Sequence, residues 1–460
     1  MNEFRVLAPT AILGYGFPES SFENGMKKKP HAIAVDAGST DPGPYYLGSG
    51  KSFTDRNAVK RDLEYMLKAG VAENIPVIIG SAGGCGANSH LDWTVDIVRE
   101  ISREHGLTFK MAVIGAQIDN DVVLRHFKNG SLKSMSSVPP LTEEQIVKSA
   151  NIVAQMGVEP FIKALDMGAQ VIVAGRAYDP TVFACLAIKN GFDTGLAMHM
   201  GKILECATIA CTPGSGSDCM FGTLRSDHFV LEPLSAARKC TTLSVAAHTL
   251  YEKSDPTKLP GPGGVLDLTD CVFEQLTDNS VRVSKTKFIS DKEYYVKLEG
   301  AMPKGYRTVS IAAASDPIFI ENIDSIVAAV KERVESNFNS MSAATLNFKV
   351  YGKNGVMLTN SGDRGDRPYE KPAEICIIIE AVAQTAEMAN TICSFARSSL
   401  LHFGYPGRKS TAGNLAFPFS PSDFEAGEVF NFSVYTLMPS SDPCMYFPIT
   451  INLCDKGELT

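Results

Sequence analysis

Hydrophobic and polar positions in the first half of the chain follow a repeating scheme. HAIAVD (31–36), PVIIG (76–80), FKMAVIGAQID (109–119) and AQVIVAG (169–175) are short apolar runs, each stopped by glycine or an acid. Runs of this length with no helical period predict buried strands. Between them, NAVKRDLEYML (57–67) and DWTVDIVREISREH (92–105) place apolar residues at helical spacing, and Gly106 ends the second. Residues 142–167 are expected to be helical as a whole, and the run after 175 to give a further loop and helix. Strand alternating with helix predicts a parallel, Rossmann-like sheet with helices on both faces.

After about residue 225 the pattern changes. Residues 235–258 combine small residues with a helical pattern, LPGPGG (259–264) is a turn, and residues 264–288 alternate as antiparallel strands do. ENIDSIVAAVKERVES (321–336) is amphipathic, and further strand-like runs follow at 345–352, 429–437 and 446–454. The expected division is a parallel α/β domain over 1–225 and an α+β covering or oligomerisation region over 226–460.

Composition narrows the class. With 44% hydrophobic and 20% charged residues, the chain is that of an ordinary globular protein. A net charge of −8 argues against a nucleic-acid surface, and the basic run 27–29 reads as a solvated turn. Without an apolar run of about eighteen residues, no membrane span is expected. The 11 cysteines are scattered and the start carries a strand pattern with no secretory signal, so free thiols in a reducing cytoplasm are expected.

Chemistry is expected at the strand ends, where ligands bind in parallel sheets. Four loops qualify: 36–43, 81–90, 117–121 and 176–179. The first, DAGSTDPG, is stiffened by glycine and proline and carries Asp36, Ser39, Thr40 and Asp41. Asp36, Asp41 or Asp179 is the expected general base, with Ser39 or Thr40 steadying developing charge. The second loop, SAGGCGAN, lets backbone amides approach an anion, which makes Ser81, Gly83, Gly84, Cys85 and Asn88 candidate substrate contacts; close helix–strand packing explains the same glycines. It matches neither a dinucleotide fingerprint nor a P-loop. Arg176, followed by Tyr178 and Asp179, suits a substrate carboxylate or an internal ion pair. Cys85 lies in the right kind of loop for a nucleophile but has no evident base. The run of Glu205, Cys206, Cys211, Asp218 and Cys219 has no standard metal spacing, and His248 reads as a core histidine. Asp36, Asp119 and Asp121 are alternative oxygen ligands for a divalent cation such as magnesium; no other cofactor is indicated. Arg364, Arg367 and Arg408 offer anion contacts or plain surface charge.

DAGSTDPGPYYLG, together with GSAGGCGAN, GRAYDP and the late AGNLAFPFSPSD, resembles the AtuA family, named for acyclic terpene utilisation. The resemblance implies a bacterial source and a role in breakdown of acyclic terpenes and related carbon compounds, alongside acyl-CoA or small-acid metabolism. It supplies no reaction. Residues and resemblance together lead to the expectation of a catabolic enzyme, a lyase or isomerase. It would act by hydration, dehydration or isomerisation beside the carboxylate of a small anionic metabolite or its CoA thioester, as a homo-oligomer. The alternative is a non-catalytic partner subunit of a catabolic assembly.

Overall fold

The computed structural model describes residues 2–135, 138–250, 255–338, 344–356, 371–409 and 412–460. Contacts divide the chain into two units, Met1–Met302 with Phe432–Thr460, and Pro303–Asn431. A boundary at 225 does not emerge, because the strands that follow it extend the sheet of the first half.

The first unit is built on strands β1 (Phe4–Ala8), β2 (Ala32–Asp36), β3 (Val77–Gly80), β4 (Thr108–Ile114), β5 (Asn151–Ala154), β6 (Val171–Ala174), β7 (Met220–Leu224), β8 (His228–Pro233), β9 (Val272–Gln275), β10 (Val281–Ser284), the opening part of β11 (Tyr294–Ala314), β12 (Ile449–Asp455) and β13 (Glu458–Leu459). Eleven of them form one mixed sheet in the order β9-β10-β8-β7-β1-β2-β3-β6-β4-β12-β13. The neighbours β1 to β4 along β1-β2-β3-β6-β4 are parallel, and the flanking strands are antiparallel. The fold is therefore mixed α/β.

Alternation along the central strands explains the two-sided core. Ile33, Val35 and Ile79 face helices α1 (Arg56–Ala72) and α2 (Asn88–His105), through Leu63, Met66, Ile97 and Ile101. Ala34, Ile78 and Ile172 face the other way, toward Val182 and Phe183 of α3 (Pro180–Lys189). Each of the larger side chains among these, fully buried, contributes roughly 1.5–3 kcal/mol. Asp55 caps α1 by accepting from the amides of Asn57 and Ala58.

Residues 142–167 are not one helix. The chain forms a helix at Glu143–Lys148, then β5, then a second helix at Glu159–Asp166. The fully buried Ile152, Val153 and Ala154 explain the change, since a strand buries all of them by pairing with the 298–301 part of β11, outside the main sheet. In 235–258 the described helix is limited to α5 (Thr242–Thr249), started by a capping box between Thr241 and Ser244. Between α3 and β7 lie α4 (Thr194–Leu204) and a short 3-10 helix at Ala207–Ala210.

In the second unit, Tyr306–Ala314 and Thr345–Tyr351 pair antiparallel on either side of Ile375–Ala383. Helices Ile323–Asn337 and Ala386–Leu401 cover that sheet through Ile326, Val330, Ile392 and Leu400. Arg364 and Arg367 lie outside the described residues. Arg408 donates to the backbone carbonyls of His402, Phe403 and Ala412, so its guanidinium serves its own loop.

Gly86 fixes how the loops after β3 and β6 meet. Its φ is +67°, and a Cβ there would stand 2.0 Å from the backbone nitrogen of Arg176. Neither backbone can yield cheaply, so Gly86→Ala is expected to lower stability by about 3 kcal/mol or more, read from urea unfolding.

Candidate functional site

The parallel strands place all four strand-end loops on one edge of the sheet, but only some of them border open space. A cavity of about 310 Å³ is lined by Asp36, Gly38, Ser39, Asp41 and Pro42 after β2, and by Asp179 after β6. The loop after β1 adds Ala11, Ile12 and Tyr15; Glu205, Cys206 and Ile209 come from the end of α4 and the 3-10 helix, and His248 from α5. Of the predicted catalytic group, Asp36, Ser39, Asp41 and Asp179 thus share one cavity. Thr40 is buried and does not line it.

Asp36 is the unusual member. It ends a fully buried strand and is itself only 5% exposed. One carboxylate oxygen, Oδ2, accepts the amide of Gly38 at 3.1 Å; the other, Oδ1, has no hydrogen-bond partner among the described residues. Gly38 makes this turn at φ +130°, where a Cβ would strike Phe53 at 2.6 Å. Burial holds the Asp36 carboxyl well above the ordinary carboxylate range. The charges of Asp179 and Glu205 add to the rise, and Arg176 and the Ser81 hydroxyl oppose it. The result is a carboxyl that holds its proton more tightly than an ordinary one.

Beneath the cavity lies a buried charge network. Arg176, 3% exposed, donates from Nε to Glu299 Oε2 at 2.7 Å. Its Nη1 donates to Asp179 Oδ1 at 2.8 Å, to the Ala177 carbonyl at 2.9 Å and to Ser81 Oγ at 3.2 Å. Glu299 also accepts from Lys297 Nζ at 3.0 Å and Gln155 Nε2 at 3.1 Å. Burial pushes the Glu299 carboxyl up, but Arg176 and Lys297 outweigh it and hold the pKa down at about 2. A second buried pair, Lys202 with Glu205, sits one turn apart at the end of α4. Burial opposes the lysine's charge, yet Glu205 holds its pKa above the ordinary value.

The glycine-rich loop is a packing device in this structure. Ser81 is fully buried and spent on Arg176, and Gly83, Gly84 and Cys85 are buried without lining the cavity. Asn88 is exposed, and its amide donates to Gln117 Oε1 at 3.0 Å, while the Ala87 amide donates to His90 Nδ1. The amides of Ala87 and Asn88 at this helix start thus already have acceptors. Tyr178 lies outside the cavity lining, and burial, with Glu205 next, raises its phenol above the usual range.

Cys85 is not poised as a nucleophile. Its thiol donates to the Ser39 carbonyl, and burial pushes its pKa up to about 12. His90 accepts the Ala87 amide on Nδ1 and meets the Lys51 carbonyl through Nε2, so it is a neutral, structural imidazole. Iodoacetamide at pH 8 is therefore expected to leave Cys85 unmodified in the folded protein, as peptide mapping would show.

The three acids suggested as metal ligands do not gather. Asp119 and Asp121 are exposed, and β4 lies three strand positions from β2, roughly 14 Å. Among the described residues no group of three or more His, Cys, Asp or Glu side chains is placed to hold a metal ion. Nor is any helix among them long and apolar enough to cross a membrane.

The sequence left Lys202, Lys297, Glu299 and Gln155 unremarked. Lys202 and Glu205, three apart at the end of an apolar helix, were the available signal for one pair. Glu299 in KLEGA, an acid inside a strand with buried neighbours, was the signal for the other.

A protein-family model described as acyclic terpene utilisation family protein AtuA matches residues 51–219 and 229–420. The chain belongs to the AtuA family. The matched residues of this AtuA chain take in the glycine-rich loop, Arg176–Pro180 and most of AGNLAFPFSPSD, but not Asp36 or the loop that follows it. No curated protein and no solved structure matches the chain.

Proposed function

We propose that this AtuA protein is a catabolic enzyme of proton transfer, a hydro-lyase or isomerase, whose reaction takes place at the strand-end cavity. A Rossmann-like reading of the parallel core fits the way the acids of two strand-end loops line one cavity. The observation that carries the reading is Asp36: a buried carboxyl at the wall of a cavity, its proton held more tightly than usual, with one oxygen that has no hydrogen-bond partner among the described residues. Asp179 lines the same cavity but is ion-paired to Arg176, so the two acids have opposite surroundings. Such a pair suits one group to give a proton and the other to accept one. In a dehydration, Asp179 takes the proton beside the carbonyl while Asp36 protonates the departing hydroxyl, which leaves as water; hydration is the reverse.

The lining also favours one substrate form. It includes Ile12, Tyr15 and Ile209 and, among the described residues, no lysine or arginine. An uncharged thioester end with a short unsaturated or hydroxylated acyl chain suits it better than a free carboxylate, which would enter beside four acids. Any anionic portion of the metabolite is then held outside the cavity. The test is incubation in D₂O with a panel of short 2,3-unsaturated and 3-hydroxyacyl thioesters and the matching free acids, followed by mass spectrometry. Deuterium uptake or water exchange in the thioesters is the expected result, and a panel without either sinks the proposal.

A second reading, a partner subunit of a catabolic assembly or a homo-oligomer whose site needs a neighbour, draws on Leu243 of α5 and Leu250 just after it, which stand 78% and 49% exposed. It predicts exchange only when a co-purifying partner is restored.

A further inference from the structure

Three sulfur atoms meet in the first unit, on residues that do not line the cavity. Cys211 Sγ lies 3.6 Å from Cys240 Sγ, and Met220 Sδ is 3.7 Å from the first and 3.9 Å from the second. Cys211 is 5% exposed and Cys240 fully buried.

The backbone places the two cysteines as partners. Thr212 and Lys239 form an antiparallel bridge and exchange both hydrogen bonds, Thr212 amide to Lys239 carbonyl at 2.8 Å and the reverse at 3.1 Å. Cys211 precedes Thr212, in extended conformation at φ −109° and ψ 176°, and Cys240 follows Lys239. They are thus opposed at the non-hydrogen-bonded position next to the bridge, where Cα atoms stand about 4.5 Å apart. That spacing lies within the range a disulfide spans.

The geometry assigns Cys211 and Cys240 as a disulfide-forming pair, oxidised by hydrogen peroxide, which is small enough to reach a nearly closed site. The Cys211 thiolate attacks one peroxide oxygen, the O–O bond breaks, and hydroxide leaves, giving a sulfenic acid. The Cys240 sulfur then attacks the Cys211 sulfur and the sulfenic oxygen departs as water. In balance, two thiols and one hydrogen peroxide give one disulfide and two waters. Closing the sulfurs from 3.6 Å to about 2.05 Å is within reach of side-chain rotation. Cys211, with its slight exposure, is the peroxide-reactive member and Cys240 the resolving one.

The bond would fasten two parts of the cavity wall. Cys211 directly follows the 3-10 helix that carries Ile209, and Cys240 lies just before α5, which carries His248. Oxidation therefore fixes the segment between two wall elements without touching Asp36 or Asp179.

The experiment treats the folded full chain with hydrogen peroxide, blocks remaining thiols with N-ethylmaleimide, and maps peptides without reductant. The expected product is a Cys211–Cys240 cross-link with two fewer free thiols, reversed by dithiothreitol. Cys240→Ser is expected to stop at a Cys211 sulfenic acid that dimedone traps, and Cys211→Ser to lose the cross-link. If half-buried Cys206 oxidises while Cys211 and Cys240 both stay free, or if Cys211 bonds to another cysteine, the assignment is overturned. The wild-type map decides the question should either variant fail to fold.

Discussion

Asp36→Asn is expected to lower turnover by about 10²–10⁴-fold, the range for removing a positioned proton donor, while the fold persists. The amide keeps the size of the carboxyl, and the Gly38 amide still has an oxygen to meet. Stability gives an independent check, with a definite sign. The folded chain holds the Asp36 proton more tightly than the unfolded chain, so unfolding releases a proton between the ordinary pKa and the raised one. Stability contributed through this group is complete below the ordinary carboxylate pKa and declines as pH rises through the folded value. Urea unfolding across that window should therefore show a decline in the wild type that Asp36→Asn lacks. Equal pH slopes in the two proteins would mean that Asp36 is not the proton holder described here.

Glu299→Gln should have the largest effect on stability. Removing the carboxylate leaves the buried guanidinium of Arg176 without its 2.7 Å partner, and Lys297 without its 3.0 Å one. Leaving one member of a buried ion pair uncompensated costs about 3–5 kcal/mol. The wild-type protein should show the same interaction in acid. Glu299, held down at about 2, contributes stability that is present above the unfolded carboxylate pKa and lost as pH falls toward 2. Over that window the loss is roughly 3 kcal/mol, and in Glu299→Gln it should be missing. A variant within about 1 kcal/mol of wild type at neutral pH would show that Asp179 alone suffices to balance Arg176.

What the sequence made readable follows from how locally each feature is encoded. HAIAVD, PVIIG and AQVIVAG announce buried strands because every residue is apolar, and their glycines and acids mark where each strand must stop. Parallel order then places Asp36 and Asp179 on the same edge without further information. Residues 151–154 were misread because NIVA fits a helix or a strand equally; what decides is pairing with residues 298–301, far along the chain. The division at 225 failed for a related reason, since β7 and β8 differ in pattern from the parallel strands yet join the same sheet. The fate of Arg176 depended on Glu299, 123 residues away, and no local pattern records which acid a buried arginine will meet. Glycines at 83, 84 and 86 fit an anion cradle or a tight packing joint alike. The choice between them lies in what packs there: His90 at Gly83, Phe53 at Gly84, and Gly175 with Arg176 at Gly86.

The separation between Arg176 and Glu299 also bears on how the polypeptide is made. A ribosome adding about 5–20 residues per second exposes the arginine on the order of ten seconds before its acid emerges. During that interval the parallel strands are already available, but closing them over Arg176 would bury it with Asp179 and without the closer Glu299. The nascent chain thus has reason to stay open until β11 is synthesised. Ribosome-bound chains arrested before residue 299 should accordingly remain protease-sensitive around Arg176, and those arrested well beyond it should not.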